Sequence, residues 1–416
     1  MTCANCSASV ATLRCSRCRS VHYCSRSCQK THWKSHKRSC RAPPAPLTEV
    51  CTDPRRGRHL KSTAPISAGT IVLKETALVP PVLHDDSGGA ESGRCAYCFS
   101  MRPSPASIPF CSKACLAKAE DYECEAAASR QLLPNKVTPT IKLAARVLRR
   151  IHPAALSSPH PFNTLVSNLD GMSSSLKSTL SEMAALTLRY YLLTTASSSL
   201  PSPPTLADAV AVLARINQNG YTIADSELQP LGIGIFLEAA TSVNHSCSPN
   251  AVSSFLFAPG QPPRIQVRAI SPLRAGQELC NSYIDVGQPR TARRSELRDG
   301  YCFECECDLC TSDPKKEPEE AVFRRLAKAK VDVQVFIDSG DFDSAARSLR
   351  PALDDYSRCL FPYSPDLGVQ LYKMAKLLEY LEVELEFAAA CRGRAAEILE
   401  RCYGKEDLLV REIKER

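Results

Sequence analysis

The sequence predicts an α+β fold in which a core of short strands is combined with metal-held modules and an all-helical C-terminal region. Strand-like runs lie in two stretches, 57–83 and 220–284, with an amphipathic helical stretch at 141–151 between them. Three cysteine clusters interrupt the chain, and the pattern beyond Glu317 is helical. At 416 residues the chain is long enough for about two or three domains.

Composition narrows the class of protein. Twenty-two cysteines are typical of disulfides in a secreted protein, but no signal-peptide pattern precedes the first cysteine pair. We therefore expect reduced, metal-bound thiols and a protein of the nucleus and cytoplasm. No run of about 18 apolar residues is present, so we expect no membrane span.

The net charge of +8 is concentrated in residues 1–61, which hold thirteen Lys or Arg against two acids. Such a basic module favours phosphate or acidic protein surfaces. The alternative is that these charges form only the solvated face of a small metal domain. Charge alone does not decide between the two.

The first cysteine cluster supplies eight metal ligands in residues 1–40, where large apolar residues are too few to form a core. The pairs are Cys3 and Cys6, Cys15 and Cys18, Cys24 and Cys28, and His36 and Cys40. Eight such ligands make two closed tetrahedral zinc sites, which are structural in kind. With Tyr23 and the run 29–34, this spacing resembles a MYND finger. The resemblance implies that Cys3, Cys6, Cys24 and Cys28 hold one zinc and that Cys15, Cys18, His36 and Cys40 hold the other.

The second cluster is shorter and lacks the second ligand set. Its pairs are Cys95 and Cys98, and Cys111 and Cys115. Four ligands suit one zinc, so this segment is similar to a reduced MYND-type insertion. Cys124 is either a spare thiol or an alternative ligand.

Three further segments follow one another in a diagnostic order. They are Asn244-His245-Ser246-Cys247-Ser248-Pro249-Asn250, then Gly276 to Asp285 with Ser282-Tyr283-Ile284, then Tyr301-Cys302-Phe303-Glu304-Cys305-Glu306-Cys307-Asp308-Leu309-Cys310. In this order and spacing they strongly resemble the C-terminal half of a SET domain and its post-SET segment. Three upstream segments resemble other parts of a SET domain. They are Arg56-Gly57-Arg58, Asn219-Gly220-Tyr221 and Gly232-Ile233-Gly234. The sequence is thus similar to the SET and MYND domain-containing protein lysine methyltransferases from about Arg55 to Cys310.

The resemblance implies a cofactor, S-adenosyl-L-methionine, and a set of residues that contact it. Because the charges of a buried amino-acid tail must be paired, Asn244 and His245 are expected to give it hydrogen bonds. The other cofactor candidates are Arg56, Gly57, Arg58, Asn219, Tyr283 and Phe303. As alternatives, Asn244 and His245 satisfy a buried loop, the two arginines lie on an ordinary basic surface, and Phe303 is a core residue.

The catalytic candidates are two tyrosines. By resemblance, the hydroxyl of Tyr283 aligns a lysine amine with the methyl group, and Tyr301 lines the lysine channel; the alternative for Tyr283 is a core aromatic. The run Cys305, Cys307 and Cys310 is one ligand short of a tetrahedron, so Cys247 is expected to complete a further zinc site. About four zinc ions are then expected in all.

The resemblance also implies a domain order and a set of partners. The expected segments are a MYND-type finger at 1–40, a linker at 41–54, SET parts at 55–94 and 219–286, a zinc insertion at 95–124, a helical insertion at 125–218, a post-SET segment at 287–312 and a TPR-like helical domain at 313–416. We expect a monomer that methylates a lysine of a histone or non-histone protein. Proline-containing peptides are expected to bind the finger, and nucleic acid is a weaker prediction.

Two departures from the family pattern leave a rival hypothesis open. His59 stands where the family usually has a second glycine, so it adds a side chain near the cofactor loop. The intact finger precedes the SET domain, whereas in the family it is usually inserted within it. The rival is a catalytically weak or inactive SET-fold adaptor that binds peptides through its finger and helical tail. A third hypothesis, a nucleic-acid-binding zinc protein, depends only on the basic module.

Overall fold

The computed structural model describes residues 2–8, 10–40, 46–84, 93–102, 109–119, 122–132, 137–155, 160–195, 203–313, 315 and 317–415. The chain forms two compact units, Met1–Leu47 and Thr48–Arg416. None of the helices in these described ranges is long and apolar enough to cross a lipid bilayer. The Ser- and Pro-rich segments at 157–161 and 197–204, whose composition predicts loops, lie largely outside the described residues.

The first unit is a small finger built around its cysteines. Strand β1, Leu13–Arg14, pairs antiparallel with β2, His22–Tyr23, and helix α1, Arg26–His36, follows. The helix begins at this point because the Ser25 hydroxyl accepts the N–H of Cys28 at 3.2 Å, which is a typical N-cap. The buried residues of this unit are Tyr23, four cysteines and His36, so bound metal rather than apolar burial must hold it together.

The second unit contains three small sheets. The strands are β3, Thr48–Asp53; β4, Gly57–Ser62; β5, Ile71–Thr76; β6, Val82–Leu83; β7, Tyr221–Ala224; β8, Pro230–Gly234; β9, Asn244–His245; β10, Ala251–Ala258; β11, Gln261–Ala269; and β12, Glu278–Asn281. Their orders are β10-β11-β5, β3-β4-β12-β9 and β6-β8-β7. Most pairs are antiparallel, but β12 and β9 run parallel, with Asn281 opposite His245. This pairing brings two distant motifs of the sequence side by side.

The structure corrects one part of the predicted linker at 41–54. Residues 41–45 lie outside the described part of the chain, but Thr48–Asp53 forms β3, which pairs along its whole length with β4. The strand escaped the sequence prediction because it is held mainly by backbone pairing. None of its side chains is fully buried, so its apolar pattern is weak.

Helices fill the stretch between the two halves of the strand core. They are α2, Lys113–Lys118; α3, Tyr122–Gln131; α4, Pro139–Ala155; α5, Ser174–Thr194; α6, Leu206–Asn219; and, after β8, α7, Leu237–Ser242. The predicted helix at 141–151 lies within α4. A buried carboxylate, Glu125, joins α3 to α4 by ion pairs with Arg146 and Arg149 at 2.5 and 2.6 Å.

The C-terminal region is helical, as predicted. The helices are α8, Arg290–Tyr301; α9, Asp308–Thr311; α10, Glu320–Asp338; α11, Phe342–Cys359; α12, Pro365–Tyr380; α13, Leu385–Tyr403; and α14, Leu408–Glu415. The run Ser339-Gly340-Asp341, which predicts a helix break, separates α10 from α11. Gly340 has φ +77°, and Asp341 caps α11. One apolar core runs from these helices to Cys247, Cys305 and Cys310, so the array packs against the third cysteine cluster.

Candidate active site and metal centres

Four sets of cysteine and histidine side chains are each gathered around one point. Within each set the ligand atoms all lie within 4.8 Å of one another. Four sulfur or nitrogen ligands complete the tetrahedron that structural zinc requires, so all four sets fit zinc. The sets are Cys3, Cys6, Cys24 and Cys28; Cys15, Cys18, His36 and Cys40; Cys95, Cys98, Cys111 and Cys115; and Cys247, Cys305, Cys307 and Cys310. Cys124 is exposed and belongs to none of these sets.

The two fingers use the same local device to present ligands. In each, a Cys-Ser-x-x-Cys segment opens a helix, and the serine hydroxyl accepts the N–H of the second cysteine at 3.2 Å. The serines are Ser25, before Cys28, and Ser112, before Cys115. Because the N-cap fixes the first helical turn, it also fixes the spacing of the two thiols. The shared device supports the interpretation of residues 95–115 as a second, smaller finger.

His245 connects the third cysteine cluster to Tyr283. Its Nε2 lies 3.3 Å from the sulfur of Cys247, and its Nδ1 accepts the backbone N–H of Tyr283 at 3.0 Å. A ring nitrogen that accepts a hydrogen bond carries no proton, so Nε2 carries it and donates to sulfur. Burial lowers the pKa of His245 to about 4, which keeps the ring neutral. With both ring nitrogens engaged, only the backbone of His245 is left for the predicted cofactor contact.

The two predicted catalytic tyrosines lie together. The ring centroids of Tyr283 and Tyr301 are 5.1 Å apart. The Tyr283 hydroxyl donates to the carbonyl of Val243 at 2.9 Å, and the Tyr301 hydroxyl donates to the carbonyl of Tyr283 at 3.3 Å. Burial raises the pKa of Tyr283 well above its usual value and also raises the pKa of Tyr301. Both phenols are therefore neutral at physiological pH, so they can donate hydrogen bonds and orient a ligand.

These two rings line a cavity of about 260 Å³. The other walls come from residues 218–222 at the end of α6 and the start of β7, from Ala240, from Ser253 and Phe255 on β10, and from Asn281 and Ser282. Both aromatic rings and polar side chains line the cavity. Such a lining suits a ligand with an apolar stem and a polar head.

Asn219 is placed in the cavity wall rather than beside Asn244. Its Nδ2 donates to the carbonyls of Val166 and Arg215, both at 2.7 Å. These bonds hold the C-terminal end of α6, from which the chain turns into β7. The structure therefore brings Asn219 to Tyr283 and Tyr301, the other cavity residues among the predicted set.

Arg56 and Asn244 meet at a carboxylate on β12. Glu278 pairs with Arg56 Nη1 at 3.0 Å and accepts from the Asn244 side chain at 3.1 Å. The Asn244 amide also donates to the carbonyl of Arg56 at 3.2 Å. The hydrogen bond and charge of Glu278 raise the pKa of Arg56. This group, which we call the Glu278 cluster, fixes the loop before β4 against the start of β9.

Gly57 and Arg58 continue the same loop. Gly57 has φ +64°, a conformation that favours glycine, and a Cβ at this position would have no atom within 4 Å. The loop thus passes beside open space. Arg58 is exposed and donates to the Thr241 hydroxyl at 3.2 Å. His59, the residue that departs from the family pattern, is fully buried, and its Nδ1 lies 3.1 Å from the carbonyl of Gly57.

Phe303 lies next to His245, with 6.1 Å between the ring centroids. It is only partly buried, at the edge of the core shared by the helical array. Part of its side chain is therefore accessible. His245, Tyr283 and Phe303 form a continuous group between the Glu278 cluster and the cavity.

Three residues of these sites were not singled out from the sequence. Glu278 lies in a segment that carries the family resemblance, but a single acid in a strand gives no functional signal. Tyr221 follows Asn219 and lines the cavity. Asn281 also lines it and donates to the Ser253 hydroxyl at 3.0 Å. Asn281 is two residues before Tyr283 at the end of β12, and this closeness in sequence is the signal that could have found it.

Comparison with known proteins identifies the class. Residues 57–284, more than half of the chain, match the SET domain family, and residues 3–40 match the MYND finger family. The chain belongs to the SET domain family.

Two relatives whose names state an enzymatic activity align with part of this chain. The histone-lysine N-methyltransferase SMYD3 of Mus musculus is 29% identical over 274 residues, which cover 64% of this chain and 62% of SMYD3. The N-lysine methyltransferase SMYD2 of Homo sapiens is 27% identical over 349 residues, which cover 79% of this chain and 73% of SMYD2. The chain thus spans less than two thirds of the mouse relative's length. The solved SET domain of LSMT bound to lysine and AdoHcy aligns over 93% of this chain and 90% of its own, with 13% identity and a TM-score of 0.36, which is too low for any inference.

Proposed function

We propose that this protein is an S-adenosylmethionine-dependent protein-lysine N-methyltransferase. The observation that carries the proposal is the position of Tyr283. On one side its ring lines the cavity together with Tyr301, and on the other its backbone is held by His245, next to Asn244 and Phe303. A substrate site and a cofactor site would thus meet at one residue. The names of the relatives point to the same reaction.

The cofactor would occupy the open space beside Gly57, between the Glu278 cluster and Phe303. It supplies a methyl group on a positively charged sulfur. Asn244 and the carboxylate of Glu278 are placed to bind an amino-acid tail, and the backbone near Gly57 can approach closely because it has no side chain there. The partly exposed ring of Phe303 would stack on a purine. These residues fit the group. Of the predicted cofactor set, which also names Arg56, Arg58, Asn219, His245 and Tyr283, the proposal gives direct contacts to Gly57, Asn244 and Phe303.

The cavity would take the lysine side chain. A lysine amine has an ordinary pKa of about 10.4 and must lose its proton before it can attack. Transfer from water into a narrow cavity disfavours the charged form, so the cavity itself lowers that pKa. Tyr221, Tyr283 and Tyr301 surround the amine, and their neutral hydroxyls and the nearby carbonyls orient it. The contribution of the protein is thus positioning and exclusion of water.

The finer parts of the proposal concern substrate, partners and location. We propose that the substrate is a lysine in a protein, either a histone or a non-histone protein, and that the N-terminal finger recruits proline-containing peptides. The protein would act in the nucleus and the cytoplasm as a monomer. The basic charge of residues 1–61 supports an acidic or phosphate-bearing partner for the finger.

The experiment that tests the proposal is calorimetric binding of S-adenosylmethionine to the zinc-loaded full chain. Asn244→Ala should abolish binding because it removes a direct contact. Tyr283→Phe should retain it, since the phenol faces Val243 and the cavity. Absence of binding to folded wild-type protein would refute the enzyme proposal and favour an adaptor with a SET fold.

A further inference from the structure

Arg293 on α8 is a buried arginine that the proposed reaction does not use. Its side chain is 2% exposed. A guanidinium remains charged in proteins, so its burial is costly unless negative charge lies close to it. Nη1 donates to the carbonyl of Gln288 and to the Glu317 carboxylate, the latter at 3.2 Å. Nε and Nη2 are also buried, and among the described residues they have no hydrogen-bond partner of ordinary geometry.

Arg293 and Leu297 are the buried residues of α8, one helical turn apart, and Leu297 packs in the same buried core as the ligands of the third cysteine cluster. Burial alone would lower the pKa of Arg293, but the neighbouring thiols of Cys247 and Cys310 and the carboxylate of Glu317 raise it instead. Cys247, Cys305 and Cys310 are themselves almost completely buried. The arginine and the metal ligands therefore share one interior region.

The charge of the metal site explains why an arginine is buried there. Four thiolates around Zn²⁺ leave two negative charges on the site, and an interior position makes uncompensated charge unfavourable. We propose that Arg293 completes this site from outside the coordination sphere. Its Nε and Nη2 donate hydrogen bonds to the ligand sulfurs, and its charge offsets part of the negative charge of the zinc-thiolate centre. His245, whose Nε2 lies 3.3 Å from the sulfur of Cys247, supplies a second, neutral donor.

The same arginine links the zinc site to the helical array. Glu317, which accepts from Arg293, also accepts the backbone N–H of Arg290 at 2.7 Å. Glu317 lies in the short segment between the last ligand, Cys310, and helix α10. Arg293 thus holds both the metal site and the segment through which the chain continues into the C-terminal helices.

The test compares zinc retention by full-length wild-type, Arg293→Met and Arg293→Lys proteins. Methionine keeps much of the volume but removes charge and donors, whereas lysine keeps the charge. Cys247→Ser identifies which step of zinc loss belongs to this site. Arg392→Met is the matched control, because Arg392 is also a poorly exposed arginine, paired with Glu379, but its helix contributes no ligand to the four sets. Zinc per chain is measured by elemental analysis after equilibration with graded chelator.

Loss of the outer partner of a metal ligand typically lowers metal affinity about 10- to 100-fold. We expect Arg293→Met to lose one zinc ion at a chelator concentration about 10- to 100-fold lower than wild type. This ion should be the one that is absent from Cys247→Ser. Arg293→Lys should recover more than half of this shift on a logarithmic scale, and Arg392→Met should match wild type. Retention of zinc by Arg293→Met as in wild type, or equal losses in the methionine and lysine variants, would overturn the proposal.

Cobalt substitution gives a second readout that a space-filling role would not change. A thiolate that loses a hydrogen-bond donor becomes a better electron donor. The sulfur-to-cobalt charge-transfer absorption of the Co²⁺-loaded Arg293→Met protein should therefore move to longer wavelength, whereas Arg392→Met should leave it unchanged. An unchanged spectrum in Arg293→Met contradicts a hydrogen bond from Arg293 to the ligand sulfurs. Because neither assay involves methyl transfer, their outcomes are independent of the proposed activity.

Discussion

Replacement of Glu278 by alanine should weaken S-adenosylmethionine binding, although Glu278 itself escaped the sequence analysis. The carboxylate holds the Asn244 amide at 3.1 Å and Arg56 at 3.0 Å, and its side chain is 16% exposed. A hydrogen bond to a charged acceptor contributes about 1.5–3 kcal/mol. The Arg56 pair contributes at most about 1 kcal/mol, because the Arg56 side chain is 47% exposed.

We expect a loss of about 2 kcal/mol in binding free energy, or about 30-fold in Kd, because Asn244 must be ordered when the cofactor binds. Glu278→Gln keeps one acceptor oxygen and should lose less than about fivefold. Glu306→Ala is the control. Glu306 pairs with Arg55, the residue before Arg56 in the chain, but both side chains of this pair are more than half exposed. Calorimetry on the zinc-loaded proteins measures all three. Binding by Glu278→Ala with the wild-type Kd would refute the role of the Glu278 cluster.

Three further predictions concern stability, metal content and loop geometry. Glu125→Gln should destabilise the fold by about 3 kcal/mol, measured by urea unfolding, because Arg146 and Arg149 lose their buried carboxylate. Burial opposes ionisation of Glu125, but the two guanidinium groups outweigh this effect and lower its pKa. The stability difference between wild type and Glu125→Gln is therefore full above pH 5 and declines as the pH falls below about 4. A constant difference from pH 3 to 7 would contradict this. Cys247→Ser should reduce zinc from four ions per chain to three by elemental analysis, and four retained ions would exclude Cys247 as a ligand. Gly57→Ala should lower thermal stability through its φ of +64°, by about 1 kcal/mol, and an unchanged melting temperature would show that the loop relaxes.

Sequence reasoning reached the metal centres because ligand chemistry is local and discrete. Counting three cysteines at 305–310 leaves a tetrahedron one ligand short, and this deficit pointed to Cys247, about 60 residues away, which the structure places in the same set. The helical C-terminal region was also predictable, since apolar residues recur there at helical spacing. The general class of the fold followed from motif order.

The residues that sequence reasoning missed depend on tertiary neighbours. Strand β3 has no buried face, so its pairing with β4 leaves little pattern in the sequence. Arg293 lies in an arginine-rich helix that reads as a solvated surface, and only its spacing of four residues from the buried Leu297 indicates an inward face. Glu278 and Asn281 are single polar residues whose partners come from other segments. In each case the function of the side chain is set by what the fold places opposite it.

The zinc site of the third cysteine cluster is connected to the candidate active site through His245. The two nitrogens of one neutral ring join the sulfur of Cys247 to the backbone N–H of Tyr283. Because β9 and β12 pair in parallel, His245 lies opposite Asn281, two residues before Tyr283. A thiolate at Cys247 fixes the proton on Nε2, and this in turn leaves Nδ1 free to accept from Tyr283. The position of Tyr283, between the cavity and the Glu278 cluster, therefore depends on the protonation and metal state of Cys247, which lies just after β9.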